Sequence, residues 1–255
     1  MSVRYRLEGD VAIVTLARPD KLNAVSAELS HGVIEATERA GVEARAMILT
    51  GDGKAFCAGA DLSDLMADYG TGGPDLASAL ESWFNPMVRA LVDVPVPTIA
   101  AINGVAAGAG LGLALACDLR LMSSEALLLS AFIGLALIPD TGTTWLLVRH
   151  LGLSRAIEFT ATNRRMAAAE AGALGLARVT PPEEVLPGAI SLAAELAEGP
   201  TRVYAATRRI LMAAAASDFP GALELERVTQ GELGTDPLHL EGMKAFREKR
   251  KPNFR

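Results

Sequence analysis

Residues 103–118 read NGVAAGAGLGLALACD, a stretch almost entirely small and apolar, punctuated by Gly104, Gly108, Gly110 and Gly112. No charged residue lies between Asp93 and Asp118. Such a segment can cross a bilayer, form a nucleotide loop, or let backbone come close to a ligand. The first reading fits poorly. Pro95 and Pro97 break the entry, Asn103 sits inside, and the flanking charges are acidic. The second fails on spacing. GAGLG at 108–112 is followed by Leu113 rather than completing G-x-G-x-x-G, and TGDGKAF at 50–56 has Ala55 where a P-loop needs Ser or Thr. Close approach remains, with tight helix–strand packing as the plainer alternative.

Strand and helix signals alternate around this segment. Residues 3–7 and 11–16 read as strands of a hairpin turning at Gly9-Asp10. A helix is expected over 26–40, with Ser26 as its cap, and a buried strand over 46–50. A helix over 76–92, a strand over 98–102 and a helix over 108–116 follow. Strands at 118–122 and 126–129 and a helix at 141–150 complete an α/β pattern without strict repeats. Strand signals vanish after residue 190. Helices are expected at 183–198, 201–216, 221–233 and 237–249, with Pro200, Pro220 and Pro237 at their boundaries. The expected division is a core over 1–190 and a helical region over 191–255.

Charge and composition narrow the function. A net charge of −6 disfavours a dedicated nucleic-acid binder, although the tail KAFREKRKPNFR concentrates positive charge. Cys57 and Cys117 are the only cysteines, and two buried free thiols in a reducing compartment are the expectation. MSVRYRLEGD has no apolar signal core, which makes the cytoplasm the expected location, with no membrane span. There is no G-x-S-x-G or H-E-x-x-H, and His31, His150 and His239 are scattered, so no metal is expected.

Two segments carry more specific information together: FCAGADL at 56–62 and PTIAAINGVAAGAGLGLALACD at 97–118. With ARPDKLNA at 17–24, IPDTGTTW at 138–145 and FREKRKPNF at 246–254, the chain resembles the crotonase (enoyl-CoA hydratase/isomerase) superfamily over nearly its whole length. The resemblance implies a crotonase-like spiral of repeated ββα units. It also implies a C-terminal α-helical trimerisation region, giving a homotrimer or hexamer. It implies an acyl-CoA thioester as substrate, coenzyme A being part of that substrate and no separate cofactor being needed. Two backbone N–H groups, at Ala60 and Ala109, would hold the thioester oxygen as it becomes an enolate, bracketed by Gly108 and Gly110. Each such donor is worth roughly 10²–10³ in rate. The nucleotide is expected near Lys21, Leu22, Ala58, Asp61 and Leu62, with Phe246 and Lys249 touching it from the tail, across a subunit boundary in one arrangement. Asp61 is expected to support its turn rather than do chemistry.

The resemblance also assigns the missing groups. The two glutamates that activate water in hydratases would fall at Gly112 and Phe132, where neither residue can transfer a proton and Phe132 offers an apolar wall. Asp140 falls where several isomerases carry a catalytic aspartate, among them dienoyl-CoA isomerases and the ring-epoxide isomerase of phenylacetate breakdown. One buried carboxylate suits moving a proton between two carbons of an enolate. Asp140 also precedes TGTT, where an aspartate is a favoured helix cap. It matches the nucleophile of a 4-chlorobenzoyl-CoA dehalogenase too, but that enzyme's histidine and tryptophan would fall at Asn85 and Phe132. Asp64, Asp68 and Glu81 read as solvated carboxylates. Met66, Trp83, Phe84 and Met87 read equally as core or as acyl-pocket lining. A thioester hydrolase and a non-catalytic acyl-CoA binder stay open as alternatives.

Overall fold

The computed structural model describes residues 1–66 and 73–255. Asp68 and the start of the 71–75 loop lie outside the described residues, as does the Met66 side chain. The chain opens with an antiparallel hairpin, β1 (Val3–Glu8) and β2 (Val11–Leu16), turning at Gly9 with φ 58°. Helix α1 (Ala27–Glu43) starts where expected: the Leu29 N–H donates to the Ser26 hydroxyl at 3.2 Å.

The same unit then recurs. Strands β3 (Ala46–Gly51) and β4 (Ala55–Cys57) precede α2 (Leu62–Met66), α3 (Leu76–Ala79) and α4 (Asn85–Asp93). Strands β5 (Thr98–Ile102) and β6 (Val105–Ala107) precede α5 (Ala109–Ala116). Strands β7 (Leu119–Ser123) and β8 (Leu127–Leu129) precede α6 (Thr143–Leu151) and α7 (Leu153–Ala161). Strand β9 (Arg165–Ala167), α8 (Ala168–Ala173), β10 (Arg178–Thr180) and α9 (Val185–Ala197) follow, and α10 (Thr201–Ala214), α11 (Phe219–Leu233) and α12 (Pro237–Glu248) end the chain. The three middle turns each give their first strand (β3, β5, β7) to a six-stranded sheet, ordered β1-β2-β3-β5-β7-β10, and their second (β4, β6, β8) to a four-stranded sheet, ordered β4-β6-β8-β9; the opening hairpin lies wholly in the large sheet, and β9 and β10 join the small and the large sheet in turn. From β2 to β10 the large sheet is parallel. This is the ββα spiral with a helical C-terminal region.

Burial explains why VAIVTL does not alternate. Ala12, Val14 and Leu16 face the main core with α1 and α5, while Val11 and Ile13 face a second cluster with Ala189, Ala193 and Ala197 of α9. A parallel strand covered on both faces has no polar side to show. Helix α9 thus covers the outer face of the large sheet.

The helix expected over 76–92 is present but contains a π-turn at residues 80–84, just before Pro86. Proline has no N–H to give the turn behind it, and a widened turn accommodates it.

Two arginines tie the C-terminal part to the core. Arg208 pairs with Asp118 at 2.9 Å and also donates to the Val94 carbonyl. Arg45 donates to the carbonyls of Ala197, Gly199 and Phe254 at 2.6, 2.8 and 3.0 Å. Cys57 and Cys117 are buried free thiols, and burial pushes both up to about 12. No helix among the described residues is long and apolar enough to cross a membrane.

Candidate active site

Helix α5 begins at Ala109, immediately after Gly108 at φ 53°, ψ −123°, a region closed to residues with a Cβ. The Gly108 N–H is spent on the Leu129 carbonyl at 3.1 Å. Ala109 is the first helical residue, so its N–H has no acceptor within the helix. The turn after β4 contributes the neighbouring donor. Ala58 donates to the Leu22 carbonyl at 3.0 Å, and Asp61 donates to the Val25 carbonyl at 2.8 Å. The Ala60 N–H between them has no protein acceptor among the described residues. The two turns touch: a Cβ built on Gly59 would lie 3.1 Å from the Ala107 oxygen and 3.7 Å from the Ala109 nitrogen. Ala60 and Ala109 thus sit in adjoining turns, each with an uncommitted N–H, one of them at the positive end of a helix.

Gly110 serves packing. A Cβ there would lie 2.2 Å from the Cys57 carbonyl, so its absence lets α5 press onto β4. Phe132 is buried, and its ring lies 3.8 Å from where a Gly108 Cβ would sit. It closes one side of the site with an apolar surface. One helical turn along α5, a Cβ on Gly112 would meet the Thr141 carbonyl at 2.7 Å and the Thr143 hydroxyl at 2.8 Å. The loop bearing Asp140 therefore fills the space that a side chain at 112 would enter.

Asp140 does not cap α6. That helix starts at Thr143 with Gly142 as its capping residue, and no side chain caps it. The Asp140 carboxylate accepts one bond within the protein, from the Thr141 hydroxyl at 2.7 Å. Burial raises its pKa from the ordinary carboxylate value, and the Thr141 bond opposes the rise. The cap alternative from the sequence is thus replaced by a half-buried, singly bonded carboxylate on the loop that packs against Gly112.

The residues expected near the nucleotide fall into two groups. Lys21, Leu22 and Leu62 are exposed and Ala58 is half-buried, and the Ala58–Leu22 bond joins their two loops. Asp61 is buried and accepts from the Ser63 hydroxyl at 2.7 Å, the Ser63 N–H at 3.1 Å and Arg18 at 2.7 Å. Burial pushes its carboxyl up, but Ser63 and Arg18 outweigh burial and hold it at about 2. It braces the turn. Phe246 and Lys249 are exposed at the end of α12, and among the described residues no hydrogen bond or ion pair joins them to the 21–22 or 58–62 segments.

Sequence reasoning missed two polar braces in ARPDKLNA, one partly and one fully buried. Arg18 also donates to the Ala24 carbonyl at 2.6 Å, and the fully buried Asn23 donates to the carbonyls of Asp52 and Ala55 at 2.9 and 2.8 Å. Their signal was a polar residue inside a motif that folds over the AGAD turn. Asp64 and Glu81 are exposed, whereas Phe84 and Met87 are buried in the core and Trp83 packs against it.

A family profile described as Enoyl-CoA hydratase/isomerase matches residues 6–255. The chain is 39% identical over 254 residues to a Rhodobacter capsulatus protein named "Probable enoyl-CoA hydratase", covering 99% of this chain and 97% of that one. It is 37% identical over 251 residues to the 1,2-epoxyphenylacetyl-CoA isomerase of Escherichia coli, covering 97% and 96%. The fold superposes on an enoyl-CoA hydratase subunit from Geobacillus kaustophilus with a TM-score of 0.91 at 37% identity, covering 100% of this chain and 98% of that one.

Proposed function

This chain belongs to the enoyl-CoA hydratase/isomerase family and processes acyl-CoA, and we propose that within it the protein is an enoyl-CoA isomerase with Asp140 as its acid/base. The observation that carries the reading is the balance of groups at the site. The two adjoining N–H groups of Ala60 and Ala109 suit an enolate oxygen, and the loop that packs against Gly112, one turn along the same helix, carries one carboxylate of raised pKa. The places of two water-activating glutamates are taken by Gly112, walled in by Thr141, and by the buried Phe132.

In the proposed reaction the ionised Asp140 removes the proton from the α-carbon of a 3-enoyl-CoA thioester. The electron pair moves through the conjugated dienolate onto the thioester oxygen, where the two N–H groups meet the developing charge. Asp140 then returns the same proton to the γ-carbon, and the double bond ends in conjugation with the carbonyl. No water enters the balance. A raised carboxylate pKa makes the group both a better base when ionised and a better donor when protonated. Lys21, Leu22, Ala58, Asp61 and Leu62 frame the nucleotide end, with Phe246 and Lys249 reaching it from a neighbouring subunit.

The last three helices support a homotrimer or hexamer. Leu211, Phe219, Leu223, Leu240 and Met243 are exposed on them, a larger apolar display than a lone protomer needs.

The test is direct. Purified protein supplied with a 3-enoyl-CoA should yield the 2-enoyl product, seen by its ultraviolet absorbance, and Asp140→Asn should lose about 10²–10⁴ of that rate. No conversion, or conversion untouched by Asp140→Asn, sinks the reading for that substrate class.

A further inference from the structure

We propose that Thr141 is the positioning residue for Asp140, fixing one carboxylate oxygen so that the other is presented to substrate. The inference rests on the reading of Asp140 as the base. Its carrier is geometry. Thr141 is 1% exposed, yet its backbone sits at φ 53°, a conformation that costs a β-branched residue energy. Gly142 follows at φ 74°, so the chain makes two successive left-handed steps. The packing that holds Thr141 there is visible: its carbonyl and Cβ lie 2.7 and 3.3 Å from the point where Gly112 lacks a Cβ. A side chain at 112 would displace it.

The outcome of that strained placement is a single bond, from the Thr141 hydroxyl to Asp140 Oδ1 at 2.7 Å. Oδ1 is occupied and the carboxylate plane is set, which leaves Oδ2 without a protein partner among the described residues. A base that must serve two carbons in turn gains from a fixed plane, because rotation between the two transfers would misplace the proton. Among the described residues no other side chain hydrogen-bonds the Asp140 carboxylate. Helix α5 carries no charge, and on α4 Arg89 and Asp93 are exposed. On α6, Arg149 stacks on the Trp145 ring at 3.3 Å, and His150 lies toward Arg120 and the Leu115 carbonyl.

Two variants test it with 3-enoyl-CoA as substrate. Thr141→Gly removes the hydroxyl and relieves the backbone, so it keeps the fold; Thr141→Ser keeps the hydroxyl. We expect Thr141→Gly to lose about tenfold or more in kcat with KM nearly unchanged. The acidic limb of its pH profile should move to higher pH, because the bond that favours the ionised carboxylate is gone. Thr141→Ser should recover most of the rate and the parental limb. A Thr141→Gly enzyme with parental kcat and an unmoved limb overturns the inference while leaving Asp140 as base, provided Asp140→Asn is inactive. Failure of Thr141→Ser to rescue also overturns it, by assigning the effect to the methyl group. An active Asp140→Asn instead overturns the reading on which the inference rests.

Discussion

The carbonyl oxygen of Thr141 lies 2.7 Å from the position that a Cβ on Gly112 would occupy. One absent methyl group thus decides which loop lines the second turn of α5. The contact is with backbone, which cannot swing aside as a flexible side chain would.

Gly112→Ala should therefore destabilise the protein by roughly 1–3 kcal/mol despite the better helix propensity of alanine, and should lower the proposed isomerase activity. Gly112→Glu should fail to install hydration of 2-enoyl-CoA. Denaturant titration measures the first effect and loss of enoyl absorbance the second. A stable, hydrating Gly112→Glu enzyme would show that the Thr141 loop moves freely.

As the proposed base, Asp140 would set the pH behaviour of the reaction, and its burial also opposes stability. Its folded-state pKa is raised by burial, so the folded protein holds a proton that the unfolded chain releases. Stability from this group is present below the unfolded pKa and is lost as pH rises through the folded one. At neutral pH Asp140→Asn should raise the melting temperature while abolishing turnover. The activity of the parent should fall on acidification, at a pH above the ordinary aspartate value of 3.8.

Asp61 works in the opposite sense. Its carboxyl falls from the ordinary 3.8 to about 2, so the stability it contributes is full above 3.8 and is lost as pH drops toward 2. That difference is on the order of 2 kcal/mol. Asp61→Asn should cost about that much at pH 7, measured by denaturant unfolding, and should flatten the acid limb of the stability profile below pH 4.

His150 governs a milder window. Burial, aided by the Arg120 charge, lowers its pKa from 6.5 to about 4. The folded state therefore resists a proton that the unfolded chain accepts, and stability should decline as pH falls from 6.5 toward 4. His150→Gln should remove that slope; a slope unchanged in the variant would assign it elsewhere.

Much of this molecule was legible in its residues, for identifiable reasons. TIAAI at 98–102 is a strand to the residue because it is short, apolar and bounded by Pro97 and Asn103. Ser26, Pro220 and Pro237 marked helix starts because capping chemistry is local. Strands β4, β6, β9 and β10 were not legible: three residues hold too little pattern, and their partners are remote in sequence. The helix over 153–161 was missed because it follows α6 after a single residue, Gly152, with no loop to announce it. Ala60, Ala109 and Asp140 are proposed through motifs, and the structure brings the turns of Ala60 and Ala109 together. The closure of Gly112 by Thr141 was not legible, because it joins residues 29 positions apart through packing alone. Arg18 and Asn23 show the same gap, since a buried polar group declares its purpose only when its acceptors are in view.

The three carbonyls held by Arg45 have a consequence for when the protein is finished. Its partners lie 152, 154 and 209 residues further along the chain. During synthesis the large sheet around β3 can pair while this guanidinium still faces water, and its last bond waits for residue 254 to be made. The first ββα turns and the final residues are then joined in one late event, whose loop-closure cost grows only slowly with length. A nascent chain stalled short of its tail would already carry the adjoining Ala60 and Ala109 turns on a scaffold still open at its edge.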